Sequence, residues 1–150
     1  MPTATQILRT EHDAILKMLD ATEQVAARLG QGQRVRPELL ADLLEFFRLF
    51  ADRCHHGKEE DVLFPQLEAR GLPRFGGPIG VMLFEHDQGR GFIKQMAEAG
   101  ESYAASPETA GPRWAEAAQG YVALLRAHID KENNVLFRLA EQMLSDVEQA

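Results

Sequence analysis

Hydrophobic residues recur every three or four positions along four stretches of the chain, and clusters of glycine and proline separate these stretches. This spacing is that of one face of an α-helix, and glycine and proline mark helix ends and turns. The pattern predicts four helices, over residues 3–29, 37–70, 78–105 and 112–145. Pro65 lies inside the second of them, where its missing N–H group predicts a kink.

Four amphipathic helices of similar length that are joined by short connections are typical of an antiparallel up-down-up-down four-helix bundle. The predicted fold class is therefore all-α. The stripes predicted to face the core are Leu8, Ile15, Leu19, Ala26 and Leu29; Leu40, Leu44, Phe47, Ala51 and Val62; Ile79, Leu83, Ile93 and Ala97; and Trp114, Tyr121, Leu125, Val135 and Leu139.

The two halves of the chain resemble each other. The Glu-His-Asp sequence around His12 recurs around His86, 74 residues later. Residues 55–64 recur as residues 128–137, 73 positions later, and both copies end in Val-Leu-Phe. Two blocks that repeat at almost one offset indicate a duplicated helical hairpin, and they predict a bundle with a pseudo-two-fold axis.

Length and composition fit one domain over residues 1–150, because 150 residues with 45% hydrophobic content can bury a single core. The formal net charge of -7 disfavours nucleic acid and anionic membranes as partners. No segment approaches the roughly 20 apolar residues of a membrane span, and no leader-like run is present, so we expect a cytoplasmic protein. Cys54 has no second cysteine to pair with, and we expect a buried or half-buried thiol.

Six polar residues interrupt the apolar stripes at corresponding places, and we expect all six to point into the core. Each His-x-x-x-Glu pair presents an imidazole and a carboxylate on one helix face, about one turn apart. Counting residues from the predicted turns brings the four histidines to similar depth in the bundle. The predicted metal ligands are His12, His55, Glu59, His86, His128 and Glu132.

A metal explains this set better than a core held by hydrogen bonds, although a single histidine on an apolar stripe is more often a core residue than a ligand. Two carboxylates buried without positive charge would cost several kcal/mol each, and a pair of divalent cations removes that cost. Imidazole and carboxylate suit iron, zinc, copper or manganese. Six ligands are too many for one tetrahedral zinc but suit two metals bridged by Glu59 and Glu132. Each metal would then have two histidines and open positions for a small ligand.

Glu59 and Glu60 are adjacent, so the register of the repeat has to decide which carboxylate faces the core. Aligning the two Val-Leu-Phe sequences pairs Glu59 with Glu132, but Glu60 with Asn133. Glu60 is therefore expected on the solvated face, where replacement by alanine should change little. We further expect His56 at the rim or surface, Asp61 and Asp130 in solvent, and Trp114 and Tyr121 in the core.

These residues resemble the hemerythrin HHE cation-binding domain over nearly the whole chain. The resemblance is carried by His12, the two His-x-x-x-Glu motifs at 55–59 and 128–132, and Glu85-His86-Asp87. The combined pattern is specific, whereas one His-x-x-x-Glu motif would be weak. The resemblance implies two iron ions as cofactor, in an oxo- or hydroxo-bridged di-iron centre.

The sequence departs from the oxygen-carrying hemerythrins at two places. Those proteins typically have five histidines, with a further histidine four positions after that of the third helix and an aspartate five positions after that of the fourth. Here these positions are Arg90 and Asn133, so simple oxygen transport is not expected. The four-His, two-Glu set is instead similar to proteins associated with iron-sulfur centre repair and nitric oxide stress, and to hemerythrin-like proteins reactive towards peroxide or nitric oxide.

Three functions remain open from the sequence. The first is a di-iron protein that binds or senses a diatomic ligand, oxygen or nitric oxide, or that handles iron under stress, since no nucleophile motif or phosphate loop accompanies the centre. The second is an enzyme that acts on peroxide or nitric oxide, or in iron-sulfur centre repair, at the same centre. The third is a metal-free bundle that serves protein contacts.

Overall fold

In the computed structural model, the described residues 2–145 form four long helices and no strand. The first helix is Ala4–Gly30 and the third is Pro78–Tyr103. The second helix covers residues 37–69 and the fourth covers residues 107–143. None of the helices in this part of the chain combines the length and apolar character that crossing a bilayer requires. The prediction of an all-helical bundle is confirmed.

The second and fourth helices contain π-helical turns, in which a backbone N–H bonds to the carbonyl five residues earlier instead of four. Both have such a turn at a predicted glutamate ligand, over Glu59–Leu63 and Glu132–Leu136. The extra residue in the turn shifts the buried face of the helix by one residue towards the C-terminus. Val62 and Val135, predicted in the core, are therefore 52% and 50% exposed, and the leucine that follows each of them is buried instead.

The rest of these two helices alternates between the two helical forms. The prediction located every helix, and the largest boundary error is the start of the fourth, five residues too late. The other segments are α-helical Pro37–Phe46, π-helical Phe47–His56 and α-helical Phe64–Ala69 in the second helix, and α-helical Pro107–Lys131 and Phe137–Met143 in the fourth.

Proline and capping residues set the helix starts. Thr3 and Gln6 form a capping box at the first helix, with the Thr3 N–H donating to Gln6 Oε1 over 2.8 Å. The fourth helix begins at Pro107, since a proline at the first position loses no intrahelical bond. Pro112, which the prediction placed at the start, lies inside the helix.

Pro65 does not cause the π turn that precedes it. It lies at the beginning of the last α-helical segment of the second helix, where its missing N–H is tolerated. The corresponding position of the fourth helix is Arg138, and that helix has the same π turn. The kink at Pro65 stays a prediction.

The buried apolar side chains of the described residues form two clusters. The larger contains Trp114 and Tyr121, whose predicted core positions are confirmed, and the smaller contains Phe64 and Phe137. On each helix, the buried histidines lie in sequence between members of the two clusters. A polar layer therefore separates the clusters, and this layer is the candidate site.

Cys54 is exposed, so the expectation of a buried or half-buried thiol was wrong. The two residues that follow it, His55 and His56, are both buried in the π-helical segment. Because that segment turns these two positions towards the core, the cysteine before them faces solvent.

Candidate metal centre

All six predicted ligands are buried in the polar layer, together with a seventh residue, His56. Their nitrogen and oxygen atoms form two groups, and within each group the atoms lie within 4.8 Å of one another. Glu59 belongs to both groups. The first group is His12, His55, Glu59 and Glu132, and the second is His56, His86, His128 and Glu59.

Each of the two glutamates lies between histidines of two different helices. A carboxylate in such a position can reach two metal ions, as the bridging role predicted for it requires. The Oε1 to Nε2 distances are 3.7 Å to His55 and 3.4 Å to His86 for Glu59, and 3.1 Å to His128 and 3.2 Å to His12 for Glu132.

Several atoms of the centre are buried without a hydrogen bond from any residue that the structure describes. They are both carboxylate oxygens of Glu59, Oε2 of Glu132 and Nε2 of His55. Buried polar atoms are normally hydrogen-bonded, and a buried ion without a partner is costly. Metal cations would satisfy these atoms, so the residues present fit a metal.

Each of the five histidines has its Nδ1 atom close to an acceptor at the outside of the centre. A histidine that ligates a metal through one nitrogen almost always donates a hydrogen bond through the other, which fixes the ring orientation. With Nδ1 bound at the outside, Nε2 is the nitrogen that each ring can offer to the interior. The distances are 2.8 Å from His12 to Asn133, 2.9 Å from His55 to Glu11, 3.2 Å from His56 to Asp52, 2.6 Å from His86 to Glu60 and 3.0 Å from His128 to Glu85.

Two of the outer acceptors, Glu11 and Glu85, occupy equivalent places in the repeat, each directly before a predicted histidine ligand. Lys58 and Lys131 donate to them, both over 2.5 Å. Burial alone would raise the pKa of the two carboxyl groups, but hydrogen bonds from the neighbouring histidine and lysine outweigh burial and lower it. Sequence reasoning missed this pair, although Glu-His and Lys-Glu occur in both copies of the repeat.

His56 was expected at the rim or surface, and this expectation was wrong. The residue is 5% exposed, and its ring stacks on that of His86 with 3.9 Å between centroids and 18° between planes. In an α-helix, consecutive side chains point about 100° apart. The π-helical segment Phe47–His56 instead lets two consecutive histidines face the interior.

Glu60 is not simply a residue of the solvated face. Its side chain is 24% exposed, and Oε2 accepts hydrogen bonds from His86 Nδ1 over 2.6 Å and from Arg90 Nη2 over 2.8 Å. Its counterpart in the repeat, Asn133, contacts His12 in the same way. Glu60 and Asn133, which are not predicted ligands, therefore both accept outer hydrogen bonds from histidines of the site. Glu60→Ala should accordingly weaken the site. Asp61 and Asp130 are exposed as predicted.

The imidazoles of the second group are neutral at neutral pH. Burial lowers the pKa of His56, His86 and His128 to about 3, even though the outer carboxylates of two of them act in the opposite direction. Burial would raise the pKa of Asp52, but its hydrogen bonds with His56 and Arg90 lower that pKa to about 2. The histidines therefore keep the lone pair that a metal needs.

Four helices around a buried set of imidazoles and carboxylates define a class of helical bundle that binds metal cations in its core. The chain belongs to the hemerythrin HHE cation-binding domain family, whose model matches residues 3–140. The resemblance inferred from the sequence is thereby confirmed.

The curated relatives are longer than this chain. The chain is 36% identical over 144 residues to the iron-sulfur cluster repair protein YtfE of Salmonella schwarzengrund, covering 80% of the chain and 64% of that protein. It is 28% identical over 131 residues to YtfE of Escherichia coli, covering 84% of the chain and 59% of that protein. An uncharacterized protein of Mycobacterium tuberculosis is 25% identical over 146 residues, which cover 97% of the chain and 56% of that protein. The chain thus spans between 56% and 64% of the length of these relatives.

Proposed function

We propose that this protein is a non-haem di-iron protein with Glu59 and Glu132 as bridging ligands. The observation that carries the proposal is the convergence of histidine Nε2 atoms on these two carboxylates. Both oxygens of Glu59 and Oε2 of Glu132 are buried and accept no hydrogen bond from the described residues. Imidazole and carboxylate donors suit iron, and two donor groups that share Glu59 suit two ions. The terminal ligands in this proposal are His12, His55, His86 and His128.

The proposed role of the centre is to bind or sense a diatomic ligand, oxygen or nitric oxide, or to handle iron under stress. Bound iron would supply open coordination positions and redox chemistry for such a ligand. The protein itself would hold the imidazoles and keep the site dry. Phe137 stacks on His12 at 5.3 Å between centroids, and Phe64 lies 6.1 Å from His86, so aromatic rings cover one side of the layer.

A second candidate is enzymatic: repair of iron-sulfur centres, or turnover of peroxide or nitric oxide at the same ions. The name of the YtfE relatives, iron-sulfur cluster repair protein, favours this candidate. The two candidates share the same metal ligands, and they differ in whether the small molecule is released unchanged or is chemically converted at the centre.

We also propose that the four helices alternate in direction within one domain, with a pseudo-two-fold axis. Contacts at one end of the bundle support this arrangement. The Val35 N–H, just before the second helix, donates to the Tyr103 hydroxyl at the end of the third over 3.0 Å. A methyl group added to Gly111, near the start of the fourth helix, would lie 3.5 Å from the Tyr103 ring and 3.7 Å from Leu29 at the end of the first. Two helix ends and two helix starts therefore meet there.

Rapid mixing of the reduced, iron-loaded protein with oxygen, nitric oxide or peroxide tests the proposed role. We expect an optical change that saturates at stoichiometric gas and reverses when the gas is removed. Repeated turnover of peroxide or nitric oxide would favour the enzyme instead. No optical change with any of the three reagents would contradict both a diatomic-ligand binder and an enzyme acting on peroxide or nitric oxide.

A matched pair of variants ties the reaction to the centre. Glu59→Ala removes a proposed bridge and should lower both the iron content and the optical change, and Glu132→Ala should do the same. Glu45→Ala removes an exposed carboxylate from the same helix as Glu59 and should leave both unchanged.

A further inference from the structure

The two halves of the metal centre differ in their surroundings, although the six predicted ligands repeat. On one side, polar residues of the second and third helices lie against the histidines. At the equivalent positions of the other side the chain has mainly aliphatic residues. Offsets of 73 and 74 residues pair His56 with Ile129, Asp52 with Leu125, Glu60 with Asn133, and Arg90 with Leu16.

We propose that His56 is a seventh metal ligand, which makes the two iron positions chemically different. One position would have three histidines, and the other would have two, with the glutamates shared between them. The inference rests on the proposed di-iron function and adds to it a difference between the two ions. The three-histidine position is formed by His56, His86 and His128, and the two-histidine position by His12 and His55.

The first support is the position of the His56 ring. Its ligand atom lies within 4.8 Å of those of His86, His128 and Glu59. The ring is stacked on His86 and lies edge-on to His128, with 5.7 Å between the latter centroids. Nδ1 faces Asp52 at 3.2 Å, which leaves Nε2 as the nitrogen available to a metal.

The second support is a salt bridge that holds the outer acceptors of this side. The Arg90 guanidinium donates from Nε to Asp52 Oδ1 over 3.0 Å and from Nη2 to Glu60 Oε2 over 2.8 Å. Asp52 in turn contacts His56, and Glu60 contacts His86. One guanidinium thus fixes two stacked imidazoles, and we assign Arg90 as a positioning residue for the three-histidine position.

A third neutral imidazole adds a donor to one ion only. The three-histidine position should therefore hold ferrous iron more tightly, and the two ions should differ in their electronic environment. The repeat offers a natural test, because His56→Ile introduces the residue that the chain already has at position 129. That variant should give the two positions the same number of histidines.

The experiment uses the full chain loaded with ferrous iron enriched in the Mössbauer-active isotope. In the wild-type protein we expect two quadrupole doublets of equal area. In His56→Ile, the doublet of the three-histidine position should shift or disappear. Competition with a ferrous chelator should show that this iron is held about 10–100-fold more weakly. Ile129→Val, a buried change at the equivalent position of the other half, should keep both doublets.

Arg90 has its own readout in the same spectra. Arg90→Leu should keep both irons but move the doublet of the three-histidine position, and Arg90→Lys should restore part of the wild-type spectrum. An unchanged spectrum in Arg90→Leu would overturn the positioning role.

The outcomes separate this inference from the proposed function. A wild-type protein without iron overturns both. Two irons in a single doublet overturn the inequivalence alone. If His56→Ile does not fold, His56→Gln replaces it, since the amide can still bond Asp52 but is a poor iron ligand. Unchanged doublets and chelator competition in the folded variant would show that His56 is not a ligand.

Discussion

Replacement of Glu59 by glutamine should stabilise the metal-free protein but weaken its binding of metal. Both carboxylate oxygens are buried without a hydrogen bond from the described residues. The nearest imidazole nitrogens, of His86 and His55, lie 3.4 Å and 3.7 Å from Oε1. Without metal, this carboxylate should therefore destabilise the fold, and with metal it should be a ligand.

The structure allows the size of this effect to be approximated. A buried ion without a partner costs several kcal/mol. Glutamine has the same shape and no charge, and an amide left without partners costs about 1–3 kcal/mol. We therefore expect Glu59→Gln to stabilise the metal-free protein by about 1–3 kcal/mol. For a chain of this size that corresponds to a rise of about 2–12 °C in Tm.

Thermal unfolding followed by circular dichroism measures the effect. Wild type and Glu59→Gln are compared after metal removal with a chelator, and again after addition of ferrous iron. Iron should raise the Tm of the wild type, because a ligand that binds only the folded state stabilises it. The variant should gain much less. Glu45→Gln, an exposed change on the same helix, should follow the wild type in both states.

Two results would refute this reasoning. A metal-free Glu59→Gln protein with a lower Tm than the metal-free wild type would show that the carboxylate has a stabilising partner without metal. An equal rise of Tm with iron in both proteins would show that Glu59 does not bind the metal.

Three further predictions concern the outer acceptors, the fold and pH. Glu85→Ala removes the acceptor of His128 Nδ1 and should weaken iron binding about 10–100-fold in a chelator competition; unchanged affinity would argue against its orienting role. Tyr103→Phe removes the acceptor of the Val35 N–H, so urea unfolding should show a loss of about 1 kcal/mol with full iron content. Burial lowers the pKa of three histidines from 6.5 to about 3, so the unfolded chain takes up protons first on acidification. In metal-free Glu59→Gln, which lacks the buried carboxylate that acid would neutralise, stability should thus be complete above about pH 6.5 and fall towards pH 3, whereas a urea midpoint that does not change across this range would contradict the prediction.

Internal repetition explains why the buried histidines and glutamates of the candidate site could mostly be located from the sequence. His-x-x-x-Glu spacing defines a helix face, and its recurrence after 73 residues identified Glu59 rather than Glu60 as the core carboxylate. The same comparison contained the outer acceptors Glu11 and Glu85, because both precede a repeated histidine. They were missed because a glutamate next to a predicted ligand has no distinctive spacing of its own.

The π turns account for most of what the sequence did not reveal. Apolar periodicity assumes 3.6 residues per turn, and one extra residue in a turn changes which neighbour is buried. His56 was therefore expected at the rim or surface, and Val62 and Val135 in the core. A pattern that assumes regular α-helical turns does not predict such an insertion.

The iron content of the purified protein tests the central claim most directly. The chain is expressed in iron-replete cells, purified without chelators, and its metals are measured by mass spectrometry against a protein concentration from amino-acid analysis. We predict close to two iron ions per chain, with the content reduced in Glu59→Ala and Glu132→Ala. Zinc alone, or no metal, in the wild-type preparation would contradict a di-iron centre.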